Sequence, residues 1–122
     1  MRRDFTYIDD LVEAIVRLVD RAPATGVKVC EQDTISPVAP YRVVNIGRGA
    51  PVQLMDFIAE LERAAGKPAK RNYLPMQKGD VPVTFANCDL LEALTGYRPA
   101  TSVETGIEAL VEWFRAYRAT AA

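Results

Sequence analysis

Tyr41-Arg42-Val43-Val44-Asn45-Ile46-Gly47-Arg48-Gly49-Ala50-Pro51, running on into Val52-Gln53-Leu54-Met55-Asp56-Phe57-Ile58-Ala59-Glu60-Leu61-Glu62-Arg63-Ala64-Ala65-Gly66, decides how the fold is read. Residues 41–46 are rich in β-branched and aromatic side chains, which fit a pleated surface, so they predict a strand. The Gly-x-Gly and Pro that follow predict a tight turn. Beyond it, Leu54, Phe57, Ile58, Leu61 and Ala65 recur on one helical stripe, with Gln53 and Asp56 spaced as a weak capping box and Gly66 as a stop signal before Pro68. Strand, glycine turn and helix in succession are the unit of an α/β fold.

Working outward, Arg3 to Ile8 suits a short extended segment, and Asp9 or Asp10 can cap a helix whose Leu11, Ile15 and Leu18 lie at helical spacing, with Pro23 beyond its end. Residues 22–40 hold Gly26, Pro37 and Pro40 among polar residues without a sustained period, which predicts a long loop, partly disordered. Downstream, Arg71–Leu74 and Val81–Phe85 can be extended, separated by a polar turn at residues 75–80. Asn87 or Asp89 can cap a short helix ending at Gly96, and Thr101 or Ser102 a last one bearing Ile107, Leu110, Val111, Phe114 and Tyr117. Two or three short strands are too few to cover four amphipathic helices, so either the sheet is completed elsewhere or it is shared between chains.

The 122 residues fit one domain with one core. A formal charge of −1 gives no basic field to recruit nucleic acid, and no apolar run approaches the roughly 20 residues that cross a bilayer, so neither nucleic acid nor membrane is an expected partner. Histidine is absent, which removes the commonest general base and metal ligand; no metal site is expected. Cys30 and Cys88 show no repeated spacing and read as free thiols in a cytoplasmic protein.

The glycines at 47 and 49 stand where a dinucleotide fingerprint would, but position 52 is Val and Pro51 intervenes, so a tight turn is the better reading and no cofactor-binding residues are assigned. A tyrosine base activated by a lysine four positions on would share one helix face with it. None of the five tyrosines has that lysine, and no catalytic residues are assigned. Binding chemistry remains. Arg3 precedes the extended segment, where its guanidinium fork can hold a diphosphate by paired hydrogen bonds. Gln77 and Asp80 share a loop with Gly79, where an amide can meet a phosphate or sugar and a carboxylate can accept from ribose hydroxyls.

Taken together, these segments resemble, in order, the signatures of extended short-chain dehydrogenase/reductases acting on nucleotide sugars. Arg3-Asp4-Phe5-Thr6-Tyr7-Ile8-Asp9-Asp10 resembles the family's Arg-Asp-aromatic segment, and Tyr41 to Gly47 its Asn-Ile-Gly strand. Leu74 to Val81 resembles the loop that closes over the nucleotide, in the form typical of UDP-glucuronate 4-epimerases. Gly96 to Thr101, Gly106-Ile107 and Trp113 fit the family's C-terminal end. The resemblance implies that Arg3 contacts the diphosphate, Asp80 the uridine ribose, and Gln77 the nucleotide from its loop. Three positions depart from the pattern. Gln77 stands where galactose-type relatives carry arginine, Asn87 where Asp is usual, and Lys78 where Pro or Glu is frequent.

In the complete enzymes NAD takes a hydride from C4 of the sugar and returns it to the other face. The cofactor fingerprint and the Tyr and Lys lie before the point matching Arg3. The expectation is therefore an α/β C-terminal substrate-binding lobe, spanning residues 1–122 as one sugar-nucleotide-binding region, plus the last strand and helix of a truncated Rossmann domain. The N-terminal NAD-binding domain would be absent, and the chain inactive alone and binding a UDP-sugar weakly or not at all. Apolar helix faces stripped of their sheet imply self-association. Two other readings stay open: a stand-alone sugar-nucleotide-binding module, and a dimerising domain without ligand.

Overall fold

The computed structural model describes residues 1–120. Its elements run β1 (Arg2–Arg3), α1 (Ile8–Val19), β2 (Val52–Gln53), α2 (Leu54–Ala65), α3 (Asp89–Thr95) and α4 (Val103–Thr120). β1 and β2 pair antiparallel, Arg2 against Gln53 and Arg3 against Val52. On its other side Arg2 bridges Val83 in parallel. Three chain segments far apart in sequence therefore meet at the first residues.

The helices follow their apolar stripes. α2 ends at Gly66 in the left-handed region (φ 73°), whose N–H reaches back to the Glu62 and Arg63 carbonyls, as a helix-terminating glycine should. α3 ends likewise at Gly96 (φ 65°), and Asn87 accepts the Asp89 N–H at 2.8 Å just ahead of it. α4 begins where Ser102 Oγ accepts the Thr105 N–H at 3.1 Å, a side-chain cap three residues ahead. α4 packs on α2, clasped by Arg63 donating to Glu104 and Glu108 and by Arg115 donating to the Ala64 and Ala65 carbonyls at the end of α2. α1 packs on α3. The core centres on Ala14, Cys88 and Leu91, with Leu18, Val44, Ile46, Ala86 and Tyr97 against it.

Three expectations are corrected. Residues 41–46 form no strand. Residues 34–36 lie alongside, but the Thr34 hydroxyl donates to the Val43 carbonyl (2.6 Å) and accepts the Val43 N–H (3.0 Å), leaving the Ser36 N–H to the Tyr41 carbonyl (2.9 Å) as a lone backbone bond. Val44 and Ile46 still point to the core while Val43 and Asn45 face water. Nor do residues 71–74 form one, being exposed throughout, and the extended run at 81–85 is reduced to the single bridge at Val83. Neither Asp9 nor Asp10 caps α1, which starts at Ile8 with Tyr7 ahead of it and no side-chain cap; Gln53 likewise makes none at α2. The loop at residues 22–40 holds no helix or strand and is organised about a buried carboxylate. Asp33 accepts both Arg42 Nε (2.8 Å) and Nη2 (2.9 Å) and the Val29 and Ile35 N–H groups. Composition conceals such an arrangement because its cation lies beyond the loop, on residue 42.

Candidate functional site

The residues singled out for nucleotide binding collect around β1. Arg3 is half-buried, and its Nη1 donates to the Val81 carbonyl at 2.6 Å. Val81 follows the turn that the Asp80 N–H closes on the Gln77 carbonyl at 3.2 Å, with Gly79 at φ 96°. The rest of the Arg3 fork has no partner among the described residues, and neither has the Gln77 amide or the Asp80 carboxylate; both of those side chains are exposed. The structure thus brings the Arg3 guanidinium to the segment carrying Gln77 and Asp80. It does not join the three side chains to one another. Backbone bonds hold the same junction: the Arg2 N–H donates to the Pro82 carbonyl (2.8 Å) and the Thr84 N–H to the Arg2 carbonyl (3.2 Å).

Sequence reasoning passed over Asp4. Its carboxylate accepts the N–H groups of Gly49 (3.0 Å), Ala86 (3.0 Å) and Ala50 (3.3 Å), and its own N–H donates to Thr84 Oγ1 at 3.1 Å. Gly49 sits at φ 71°, so consecutive N–H groups converge into an anion-binding concavity. A Cβ on Gly47 would lie 2.5 Å from the Ala86 Cβ and 3.3 Å from Asp4 Oδ2, so only glycine allows this approach. The Gly-x-Gly turn does present donors to an anion. That anion is the chain's own carboxylate, so these residues do not fit a cofactor pyrophosphate.

Asp10 is the second residue whose role is tertiary. It accepts the Tyr97 hydroxyl (2.9 Å) and the Ala100 and Thr101 N–H groups (3.1 and 2.8 Å), tying α1 to the α3–α4 connection. Partial burial pushes its carboxyl pKa up, but the bonds from Thr101, Tyr97 and Ala100 outweigh this and hold it below 3.8. Burial also pushes up the pKa of the Tyr97 hydroxyl, and the Asp10 charge adds to the shift.

An apolar cavity of about 250 Å³ lies between α2, α4 and the turn into α1, walled by Phe5, Tyr7, Phe57, Ile107 and Leu110. No charged residue lines it and none of Arg3, Gln77 or Asp80 reaches it, so it offers nothing to a diphosphate. Among the described residues no group of three or more Cys, Asp or Glu side chains could hold a metal ion, and no helix is long and apolar enough to cross a membrane.

No family model matches the chain. Its sequence is 57% identical over 117 residues to a probable UDP-glucuronate 4-epimerase of Rhizobium meliloti, covering 93% of this chain and 34% of that protein. The UDP-glucuronic acid 4-epimerase from Bacillus cereus, solved in complex with UDP-glucuronic acid and NAD, superposes with a TM-score of 0.70 at 28% identity, over 93% of this chain and 32% of that one. The fold also matches UDP-glucose 4-epimerase from Bifidobacterium longum, solved with NAD+ and UDP, at a TM-score of 0.73 and 21% identity, over 93% of this chain and 30% of that one. The chain spans about a third of the length of these relatives. In sequence and in fold it matches the C-terminal part of the NAD-dependent UDP-sugar epimerases of the extended short-chain dehydrogenase/reductase family.

Proposed function

We propose that this chain forms the nucleotide half of the substrate cleft of a nucleotide-sugar 4-epimerase and, by itself, binds UDP or a UDP-sugar weakly and without turnover. One observation carries the reading: the Arg3 fork lies on the backbone one residue past Asp80, while Gln77 and Asp80 stand open on the same loop. Arg3 would take the diphosphate, Asp80 the ribose hydroxyls, and Gln77 a phosphate or sugar oxygen. A UDP-hexuronic acid is the favoured substrate because the relative at 57% identity carries that name. Oxidation and re-reduction at C4 would need NAD and a proton-transfer pair held by polypeptide outside these residues, since the glycine turn here is filled by Asp4. The unpaired thiols of Cys30 and Cys88 suit a cytoplasmic setting.

Titration of UDP into the purified chain tests the half-site. Weak binding, with Kd on the order of 0.1–1 mM and lost at least tenfold in both Arg3→Ala and Asp80→Ala, is the expected outcome. No heat of binding in the unmutated chain would overturn it.

A second reading, association between copies, is favoured by the exposed surface. A compact 13.5 kDa protein presents about 6,500 Å² to water, whereas this chain presents 8713 Å². The excess, on the order of 2,000 Å², is comparable with the whole area buried in a standard protein–protein interface. Exposed apolar side chains line the outer face of α1 and the far end of α4, and we assign a second copy of this chain as their cover when no other partner is supplied.

A further inference from the structure

We propose that Asp4 is the positioning residue of the nucleotide site: its carboxylate, seated on the N–H groups of Gly49, Ala50 and Ala86, fixes the register in which Arg3 faces the loop at residues 77–80. The inference rests on the nucleotide reading of Arg3 and Asp80 for its ligand, but its geometry stands apart from that reading. β1 is two residues long and both are arginine. Successive side chains of a strand point to opposite faces, so a slip of one residue would bring the Arg2 guanidinium to the place of Arg3 and turn Arg3 away. The arginines themselves oppose that slip only through exposed bonds, Arg2 Nη2 to the Pro51 carbonyl at 3.0 Å and Arg3 Nη1 to the Val81 carbonyl.

What holds β1 in place is limited. β2 supplies a two-residue ladder, and the 81–84 segment is held by the two backbone bonds at Arg2 and by the exposed Arg3 bond to Val81. Asp4 adds bonds of a different kind. A carboxylate accepting backbone N–H groups makes charge-assisted bonds, about twice as strong as neutral ones. These three come from two segments at once, the 49–50 turn and Ala86. The Asp4 N–H also meets Thr84 Oγ1, so the same residue grips the 84–86 segment from both its backbone and its side chain. The junction has no slack: the Gly47 Cα lies so near Ala86 that even a methyl group would collide. Shifting β1 by one residue would pull the carboxylate out of this seat and strand three N–H groups.

Asp4→Ala and, should that variant fail to fold, Asp4→Asn separate positioning from general stability. In the ¹⁵N-labelled chain, Asp4→Ala is expected to speed exchange of the Arg2 and Thr84 amides at least tenfold and to move the Arg3 Nε–Hε resonance to that of a free arginine, while the amides of α2 and α4 keep their protection. UDP affinity falls at least fivefold in the same variant. Asp4→Asn, keeping one oxygen acceptor, should fall between the two. Unchanged Arg2, Arg3 and Thr84 signals, or loss of protection by the same factor throughout the chain, would overturn the proposal. If the unmutated chain takes up no UDP, the nucleotide reading fails and the amide and arginine signals still decide the role of Asp4.

Discussion

Asp33 is the residue whose chemistry is most dependent on its surroundings. Its side chain has no exposed surface and that of Arg42 has 6%. The paired bonds from Arg42 chiefly hold its carboxyl below the usual 3.8; burial opposes them, and the Val29 and Ile35 N–H groups add to them. A carboxylate with a lowered folded-state pKa contributes stability that is complete above about pH 5 and is lost as the pH falls below 3.8 through the folded value. Asp33→Asn leaves the Arg42 charge buried and half-bonded, so its Tm at pH 7 should fall by on the order of 5–10 °C. Because the variant has no proton to gain there, the gap between it and the unmutated chain should close as the pH is lowered from 5 to 3. A gap independent of pH, measured by calorimetry across that range, would mean that packing and not ionisation stabilises the loop.

At the scale of elements, the end of α2 isolates a backbone effect. Gly66 adopts φ 73°, and a Cβ built there meets nothing within 4 Å. Gly66→Ala therefore introduces no clash and should cost only the left-handed conformation, about 1 kcal/mol. Chemical denaturation should show this as a lower midpoint with an unchanged m-value. The helices were legible in the sequence because their signals are local: the stripe of α2, the glycine stops at 66 and 96, and the Ser102 cap all act within a few residues. Residues 41–46 mark where legibility ends. Their alternation survives in the fold, but a strand also needs a backbone ladder to a neighbour, which composition cannot announce. Asp4 and Asp10 were misjudged or missed for a related reason. Their bonding partners lie 45–82 and 87–91 residues away, so a local reading offers Asp10 as a helix cap and passes over Asp4. Arg3, Gln77 and Asp80 stand out by their own chemistry and take a proposed role from the collinear motif order, but no local rule places Arg3 against Val81.

Across the whole molecule, the exposed face of α1 is the surface on which the proposed association between copies turns. Ile8, Val12, Ile15 and Val19 recur at intervals of four, three and four residues and are 49–73% exposed, on the side opposite the buried Ala14. That spacing forms a continuous seam for another helix. Two copies running antiparallel would set Ile8 against Val19 and Val12 against Ile15. Sedimentation velocity from about 5 to 200 μM should show a mass rising with concentration, and Ile15→Asp should hold the chain as a monomer. A monomer at every concentration in the unmutated chain would remove the case for association between copies.

The bonds that seat Asp4 and Asp10 also set an order of events in time. These bonds fasten Asp4 and Asp10 to positions 49–50, 84–86 and 97–101, all 45 or more residues away. On a ribosome each of these residues emerges before its partners, which follow 45 to 91 residues later. The entropy of closing such long loops has to be met before any of these contacts rewards it, so the helices should form quickly and the junction at β1 last, in milliseconds or longer.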